Sequence, residues 1–244
     1  MTVEKLFLIP LILGFMTLPF FLKAMWPQKT KKSLLLKMTC STFFVFTGFL
    51  IAWGSQNKGT YAKLMLVGLV LGWLGDFFLH VKNTEVYFIF GLASFLLGHI
   101  FYISAFSHVS RKFYDEPSKS GRVLQITLLT LLLLGLTIFL KKAKLEMGSV
   151  APAVIIYVVV IIIMSIKALG LGYLLLKQTD SGGGKNILAA AILIVGSLLF
   201  LISDSLLAVF NFGSKSKSYP LKIVNIITYY LAQNLLACSL LLIT

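Results

Sequence analysis

Charged side chains are scarce in this sequence and account for 12% of its 244 residues. Soluble domains carry about 25%, so the chain has too few polar groups to cover a water-soluble globule. Hydrophobic residues make up 58% of it. The composition therefore predicts a membrane protein, and the short segments between the apolar runs leave no room for a soluble domain.

Cysteine is nearly absent, and both copies, Cys40 and Cys238, lie inside apolar runs. This excludes a disulfide framework and a cysteine-based metal site. The glycine cluster Gly182–Gly184 follows no predicted strand and lacks the lysine of a phosphate loop, so we interpret it as a flexible loop. The lack of an internal repeat disfavours the inverted-repeat transporters.

Apolar runs of about 20 residues, the length that crosses a bilayer, dominate the sequence. Together they predict an all-α, polytopic bundle of about eight transmembrane helices in a single domain over 1–244. The predicted spans are 6–22, 34–53, 61–79, 86–106, 123–140, 151–176, 187–210 and 221–243.

The net charge of +14 comes from cations that flank these spans, where they meet lipid phosphates. We therefore expect a lipid bilayer as the partner and no nucleic acid. The odd-numbered loops carry more cations than the even-numbered loops, which favours their placement on the cytoplasmic side. The membrane would be the cytoplasmic membrane of a bacterium or the endoplasmic reticulum of a eukaryote, and no feature predicts the oligomeric state.

Of the eight acidic residues, only Asp76 and Asp204 fall inside apolar spans. An ionisable group in the hydrocarbon region costs several kcal/mol, so each is a functional candidate. Gly75 and Ser203 precede them, and these small residues allow another helix or a ligand to approach closely. Two lone carboxylates in a bilayer indicate a pair.

Further polar residues share the spans with this pair. They are His99, Tyr102, Asn211, Asn225, Tyr229 and Gln233. The last three recur at intervals of four and form one helical stripe, which we expect to face the bundle interior. We interpret Tyr230, Asn234 and Asn225 as residues that form hydrogen bonds between helices. His80 at a helix end and His108 in a loop are expected to be solvated.

Two carboxyl groups close together in low dielectric cannot both ionise, so one keeps its proton while the other is charged. Such a pair suits intramembrane proteolysis, proton-coupled transport or acid-catalysed lipid hydrolysis. Gly72–Asp76 approaches the GxGD motif of aspartyl intramembrane proteases, but Trp73 occupies the place of a required glycine. The last span also lacks a Pro-Ala-Leu element, and the protease hypothesis is rejected.

Four groups of residues occur in an order and helix placement that resemble the lysoplasmalogenase (YhhN-like) family of membrane hydrolases. They are Gly75-Asp76 with Phe78-Leu79; Phe90-Gly91-Leu92 with Phe95 and Gly98-His99-Ile100-Phe101-Tyr102; Ile202-Ser203-Asp204 with Ala208 and Asn211; and Thr228-Tyr229-Tyr230 with Ala232-Gln233. The resemblance covers roughly 34 to 240. The first span carries almost none of it, and Lys37 lacks the proline that often follows closely in the family.

The resemblance implies hydrolysis of the sn-1 vinyl ether of a lysophospholipid substrate, lysoplasmalogen, to a fatty aldehyde and a glycerophospho-alcohol. The chemistry agrees, because a vinyl ether needs a positioned acid and a nearby anion, which an aspartate pair supplies without a cofactor or metal. We assign catalysis to Asp76 and Asp204. The expected orienting residues are His99, Tyr102, Asn211, Tyr229 and Gln233, and the weaker head-group candidates are Lys37 and Lys167.

Two other functions use the same residues. A proton-coupled transporter of lipids or small molecules would employ Asp76 and Asp204 as a proton relay. A metal-dependent lipid hydrolase would bind its ion through these aspartates and His99, although one buried histidine falls short of the usual three-ligand zinc set.

Overall fold

A computed structural model of the chain describes residues 5–54, 59–113, 145–213 and 218–243, with the scattered positions 127, 131, 134, 135 and 138. Apart from an isolated bridge between Leu145 and Gly213, these residues form no strand pairing. Seven α-helices occupy the continuous ranges: α1 Leu8–Ala24, α2 Lys31–Gly54, α3 Thr60–Val81, α4 Glu85–Arg111, α5 Ala151–Lys177, α6 Thr179–Phe212 and α7 Tyr219–Cys238. The predicted all-α class is confirmed.

Helices α2 to α7 are long and apolar enough to cross a membrane. Helix α1 is also apolar and has 17 residues, near the lower limit for a spanning helix. The chain is therefore a multi-pass integral membrane protein. The predicted span 123–140 lies outside the described residues except at the scattered positions.

Helix α6 begins earlier than the predicted span 187–210, and the loop predicted at Gly182–Gly184 is wrong. The backbone there is helical and is interrupted only at Gly183, with φ 51° and ψ −139°. Residues with a side chain rarely adopt this conformation, whereas glycine does so at little cost. A single glycine thus breaks the helix without a loop.

Helix α7 lies in the middle of the bundle. Of its most apolar stretch, 61% is buried, against 33–44% in α2 to α6. It packs against α6 and α2, while α1 to α6 each contact the next described helix. Asn225, Tyr229 and Gln233 are all buried, which confirms that the polar stripe faces the interior. Large apolar side chains on the other helices point outward towards lipid, as at Leu35 and Trp53.

The end of α3 and the starts of α2, α4, α5 and α7 meet at one end of the bundle, which we call the basic end because Lys29, Lys82 and Lys222 lie there. Lys29 Nζ donates to the Leu79 carbonyl at 2.7 Å, joining the α1–α2 connection to α3. The backbone N–H of Glu146 donates to the Phe212 carbonyl at 2.9 Å, joining the approach to α5 with the end of α6.

Candidate active site

A cavity of about 500 Å³ penetrates the bundle from the basic end. Its wall includes the exposed residues Lys82 and Glu85 at the helix ends and, deeper, both Asp76 and Asp204. The volume lies in the range of about 300–1,000 Å³ that is usual for small-molecule sites. The two intramembrane carboxylates predicted from the sequence therefore line one cavity.

Asp76 is 2% exposed and has donors from two other helices. Its Oδ1 lies 2.9 Å from Lys37 Nζ on α2. Its Oδ2 accepts hydrogen bonds from Ser41 Oγ at 2.6 Å and from the Tyr229 hydroxyl on α7 at 2.7 Å. A buried carboxylate is stable only when paired and hydrogen-bonded, and these three donors meet that requirement.

A line of hydrogen bonds continues from Asp76 away from the cavity. Gln233 Nε2 donates to the Tyr229 hydroxyl oxygen at 3.2 Å, and the Tyr102 hydroxyl donates to Gln233 Oε1 at 3.0 Å. Neither Tyr102 nor Gln233 lines the cavity. Both are fully enclosed, so they hold Tyr229 in place from behind.

Asp204 has a different environment from Asp76. Its Oδ2 accepts a hydrogen bond from the Tyr157 hydroxyl on α5. Among the contacts described, it has no cationic partner and no hydrogen bond to Asp76. The two carboxyl groups predicted to form a pair thus share a cavity and have separate hydrogen-bond partners.

His99 lies behind the cavity wall, where it is 1% exposed. Its Nδ1 is 2.6 Å from the Phe95 carbonyl oxygen, so Nδ1 carries the hydrogen and Nε2 is an acceptor. Nε2 is buried without a hydrogen-bond partner in the described part of the chain. The ring packs edge-on against Phe200 and Tyr157, with centroid distances of 4.7 and 5.5 Å.

The remaining predicted site residues lie in different places. Asn211 lines the cavity, as does Lys37, whose ammonium is paired with Asp76. Lys167 is half-buried on α5 and is not part of the cavity wall. The structure thus brings Lys37 to Asp76 and places Lys167 away from the cavity.

The two histidines expected to be solvated are placed differently. His80 is only 7% exposed, and its Nε2 lies 2.8 Å from Ser33 Oγ. The sequence position suggested an interface, but Phe21 of α1 and Ser33 in the first turn of α2 pack against the imidazole ring. His108 belongs to the last turns of α4 rather than to a loop.

Ser41 and Tyr157 contact the two aspartates and were missed from the sequence. Ser41 follows Lys37 by four residues and so shares its helical face, which is the sequence signal that points to it. Tyr157 stands within the apolar run Val154–Met164, where a lone phenol needs a partner. Nothing in the sequence indicates that this partner is Asp204.

No group of three or more His, Cys, Asp or Glu side chains within the described ranges is arranged to hold a metal ion. The ligand set suggested by His99, Asp76 and Asp204 is therefore not assembled. His99 faces aromatic rings, and the aspartates are occupied by hydroxyl and ammonium donors.

The chain is similar in sequence to known proteins. A lysoplasmalogenase homolog from Dictyostelium discoideum is 32% identical over 163 residues, which cover 63% of this chain and 52% of that relative. The chain thus matches about half the length of this curated relative. No solved structure matches. The model of the YhhN family matches residues 33–240, a range that includes both aspartates and all the donors that hold them, and the chain belongs to the YhhN family.

Proposed function

We propose that this protein is a lysoplasmalogenase, which hydrolyses the sn-1 vinyl ether of a single-chain alkenyl phospholipid to a fatty aldehyde and a glycerophospho-alcohol. The observation that carries the proposal is the pair of carboxyl groups on the wall of one cavity, with unlike partners. The name of the Dictyostelium relative supports the same activity. Reaction within a membrane helix bundle suits a substrate whose chain lies in lipid.

Asp76 takes the role of the anion. The Lys37 ammonium and the hydroxyl groups of Ser41 and Tyr229 all donate to it, and donors of this kind favour the charged form of a carboxyl group. A fixed carboxylate stabilises positive charge that develops beside it in a dry site. Asp76 would therefore stabilise the oxocarbenium ion that forms from the vinyl ether.

Asp204 takes the role of the acid. Among the described contacts its one donor is the neutral hydroxyl of Tyr157. The side chain is half-buried, and partial removal from water without a cation disfavours a charged carboxyl group. Oδ2 accepts from Tyr157, which leaves Oδ1 to carry a proton into the cavity. Two carboxyl groups with unlike surroundings thus divide the acid and anion roles, as in other acid-catalysed hydrolases.

The reaction begins when the Asp204 proton is transferred to the outer carbon of the alkene. The π electrons form the new C–H bond, and the positive charge spreads over the inner carbon and the ether oxygen. Water attacks the inner carbon and gives its proton to a carboxylate, which yields a hemiacetal. The hemiacetal hydroxyl then loses its proton to a carboxylate and forms the carbonyl C=O bond, while the C–O bond to glycerol breaks. The glycerol oxygen takes up a proton from a carboxyl group, and the fatty aldehyde is released.

The activity is tested by aldehyde release from alkenyl lysophosphatidylethanolamine, with the acyl ester analogue as the control substrate. We expect the purified protein to cleave only the vinyl ether. Asp76→Asn and Asp204→Asn keep the side-chain shape and remove the charge or the acid, so each should lower the rate by about 100-fold or more. Lys167→Gln, away from the cavity, serves as the matched control and should keep the wild-type rate.

Absence of aldehyde from the folded wild-type protein would contradict the proposal. So would full activity in both asparagine variants. Proton-coupled uptake into vesicles that is lost in the same two variants would instead favour the transporter hypothesis.

A further inference from the structure

Four lysines line the cavity: Lys29, Lys37, Lys82 and Lys222. Lys37 is neutralised by Asp76, and no other ion pair is described. Lys29 Nζ donates to two neutral oxygens, those of the Leu79 carbonyl and the Asn83 side chain. The Lys222 ammonium lies 4.6 Å from the centroid of the Phe210 ring. The lysines at this end of the cavity therefore outnumber the carboxylates that are described as pairing with them.

The cations at this end also lie close enough to repel one another. Partial burial of the Lys29 ammonium and, to a smaller extent, the charge of Lys37 together lower its pKa to about 8. The side chain as a whole is exposed, but its charged group packs against the end of α3. Cations held in this way gain stability from a bound anion.

The aspartates lie deeper in the bundle than the lysines, and this separation suits a lipid substrate. Asp76 lies five residues before the end of α3 and Asp204 eight before the end of α6, which is about 7.5 and 12 Å along the helix axes at 1.5 Å per residue. Lys29 lies two residues before the start of α2, and Lys222 lies three residues after the start of α7. In a lysophospholipid the phosphate likewise lies only a few bonds above the sn-1 oxygen.

Carboxylates are also present at the rim. Glu85 and Glu146 line the cavity, and Glu85 accepts a hydrogen bond from Ser149 Oγ at 2.9 Å. Both are exposed. A rim that carries both lysines and glutamates complements a zwitterionic head group, which has both a phosphate and an ammonium, better than it complements inorganic phosphate.

We propose that Lys29 and Lys222 bind the phosphodiester of a single-chain phospholipid at the mouth of this cavity and so place the first carbons of its chain beside Asp76 and Asp204. This deepens the proposed function and rests on it. It assigns the phosphate to two lysines other than Lys37 and Lys167, the residues expected from the sequence.

The test is binding rather than turnover, so that it does not depend on catalysis. The probe is 1-O-alkyl lysophosphatidylethanolamine, whose saturated ether cannot be protonated at an alkene, titrated calorimetrically into the purified full-length protein in detergent. We expect Lys222→Gln to weaken binding by about tenfold, the usual effect of losing one charged hydrogen bond, and Lys222→Arg to restore most of the affinity. Lys29→Gln should also weaken binding.

Lys177→Gln is the matched control. Lys177 Nζ also lies over an aromatic ring, 4.9 Å from the centroid of Tyr173, but it is not part of the cavity wall. This variant removes the same charge and should bind the probe as tightly as the wild type. A second measurement needs no variant: 1-O-alkylglycerol, which lacks the phosphate, should bind the wild type at least about tenfold more weakly.

Wild-type affinity in both Lys29→Gln and Lys222→Gln would overturn this inference, even if the protein releases aldehyde. Equal binding of 1-O-alkylglycerol would overturn it too, and so would displacement of the probe by equimolar inorganic phosphate, because the site would then not select a lipid head group. The probe could bind in a lysine-dependent way while the protein releases no aldehyde from the vinyl ether. That result would support the head-group site and overturn the proposed function.

Discussion

At the scale of single residues, the ion pair of Lys37 with Asp76 decides what the candidate active site can do. Both side chains are largely buried, with 13% and 3% exposure, and their charged atoms are 2.9 Å apart. A buried ion pair adds little net stability compared with neutral side chains, but loss of one partner leaves an uncompensated charge. The pair therefore fixes the charge of Asp76 more than it stabilises the fold.

Replacing one member of this pair should cost more than replacing both. We expect Lys37→Gln to lower the free energy of unfolding by about 3–5 kcal/mol, because it leaves the Asp76 carboxylate buried without a cation. The double variant Lys37→Gln with Asp76→Asn should regain most of that stability and stay inactive. Denaturation in detergent followed by circular dichroism measures the cycle, and additive losses would contradict the explanation.

At the scale of the helix, α3 approaches its neighbours through a face of glycines. Gly68, Gly72 and Gly75 are spaced so that they share one side, and a Cβ at each would come within 2.3–2.6 Å of another side chain. Those side chains are Tyr102, Gln233 and Phe95. The absence of side chains on this face allows the hydrogen-bonded line behind Asp76 to lie against the helix.

Two alanine substitutions on this face should separate activity from stability. Gly72→Ala places its Cβ 2.6 Å from Gln233 Nε2, the end of a flexible chain that can move, so we expect little loss of stability. The displaced Gln233 would no longer donate to Tyr229, and the rate of aldehyde release should fall by about tenfold, the effect of roughly 1.4 kcal/mol on the barrier.

Gly75→Ala should act in the opposite way, mainly on stability. Its Cβ would meet the Phe95 ring at 2.5 Å, and a rigid ring in a packed bundle gives way only at a cost of about 1–3 kcal/mol. Gly184→Ala, with nothing within 4 Å, is the control for both. Equal effects of the Gly72 and Gly75 substitutions on unfolding and on rate would contradict this distinction.

At the scale of the whole molecule, the two ends of the bundle differ, because the cavity opens at the basic end. Lys29, Lys82 and Lys222 lie at the end where the cavity begins. With them, the sequence has 12 cations flanking the predicted spans on this side and nine on the other. Positive charge in short loops is retained on the cytoplasmic side of membranes. The cavity is therefore expected to receive its lipid from the cytoplasmic leaflet.

This orientation is measured with single cysteines in a background that has alanine at Cys40 and Cys238. Thr84→Cys lies at the basic end and Gly59→Cys at the opposite end of α3. In intact cells, or in sealed right-side-out vesicles, a membrane-impermeant maleimide should label Gly59→Cys and should reach Thr84→Cys only after permeabilisation. The reverse pattern would place the mouth of the cavity on the other side.

The sequence by itself determined the membrane class, the all-α architecture and the inward direction of the α7 stripe. These properties follow from local composition, because about 20 apolar residues cross a bilayer wherever they occur and a polar stripe avoids lipid. It also identified Asp76 and Asp204, since an acidic residue in an apolar span is conspicuous without any knowledge of its neighbours.

Only the tertiary structure decided which partner each aspartate has. Lys37 and Ser41 reach Asp76 from α2, Tyr229 reaches it from α7, and Tyr157 reaches Asp204 from α5. Helical periodicity indicates which residues share a face, but it does not indicate which helix that face meets or at what height. The different charge states that we propose for the two carboxyl groups depend on these contacts between helices. A donor stabilises a carboxylate only when it lies at hydrogen-bond distance.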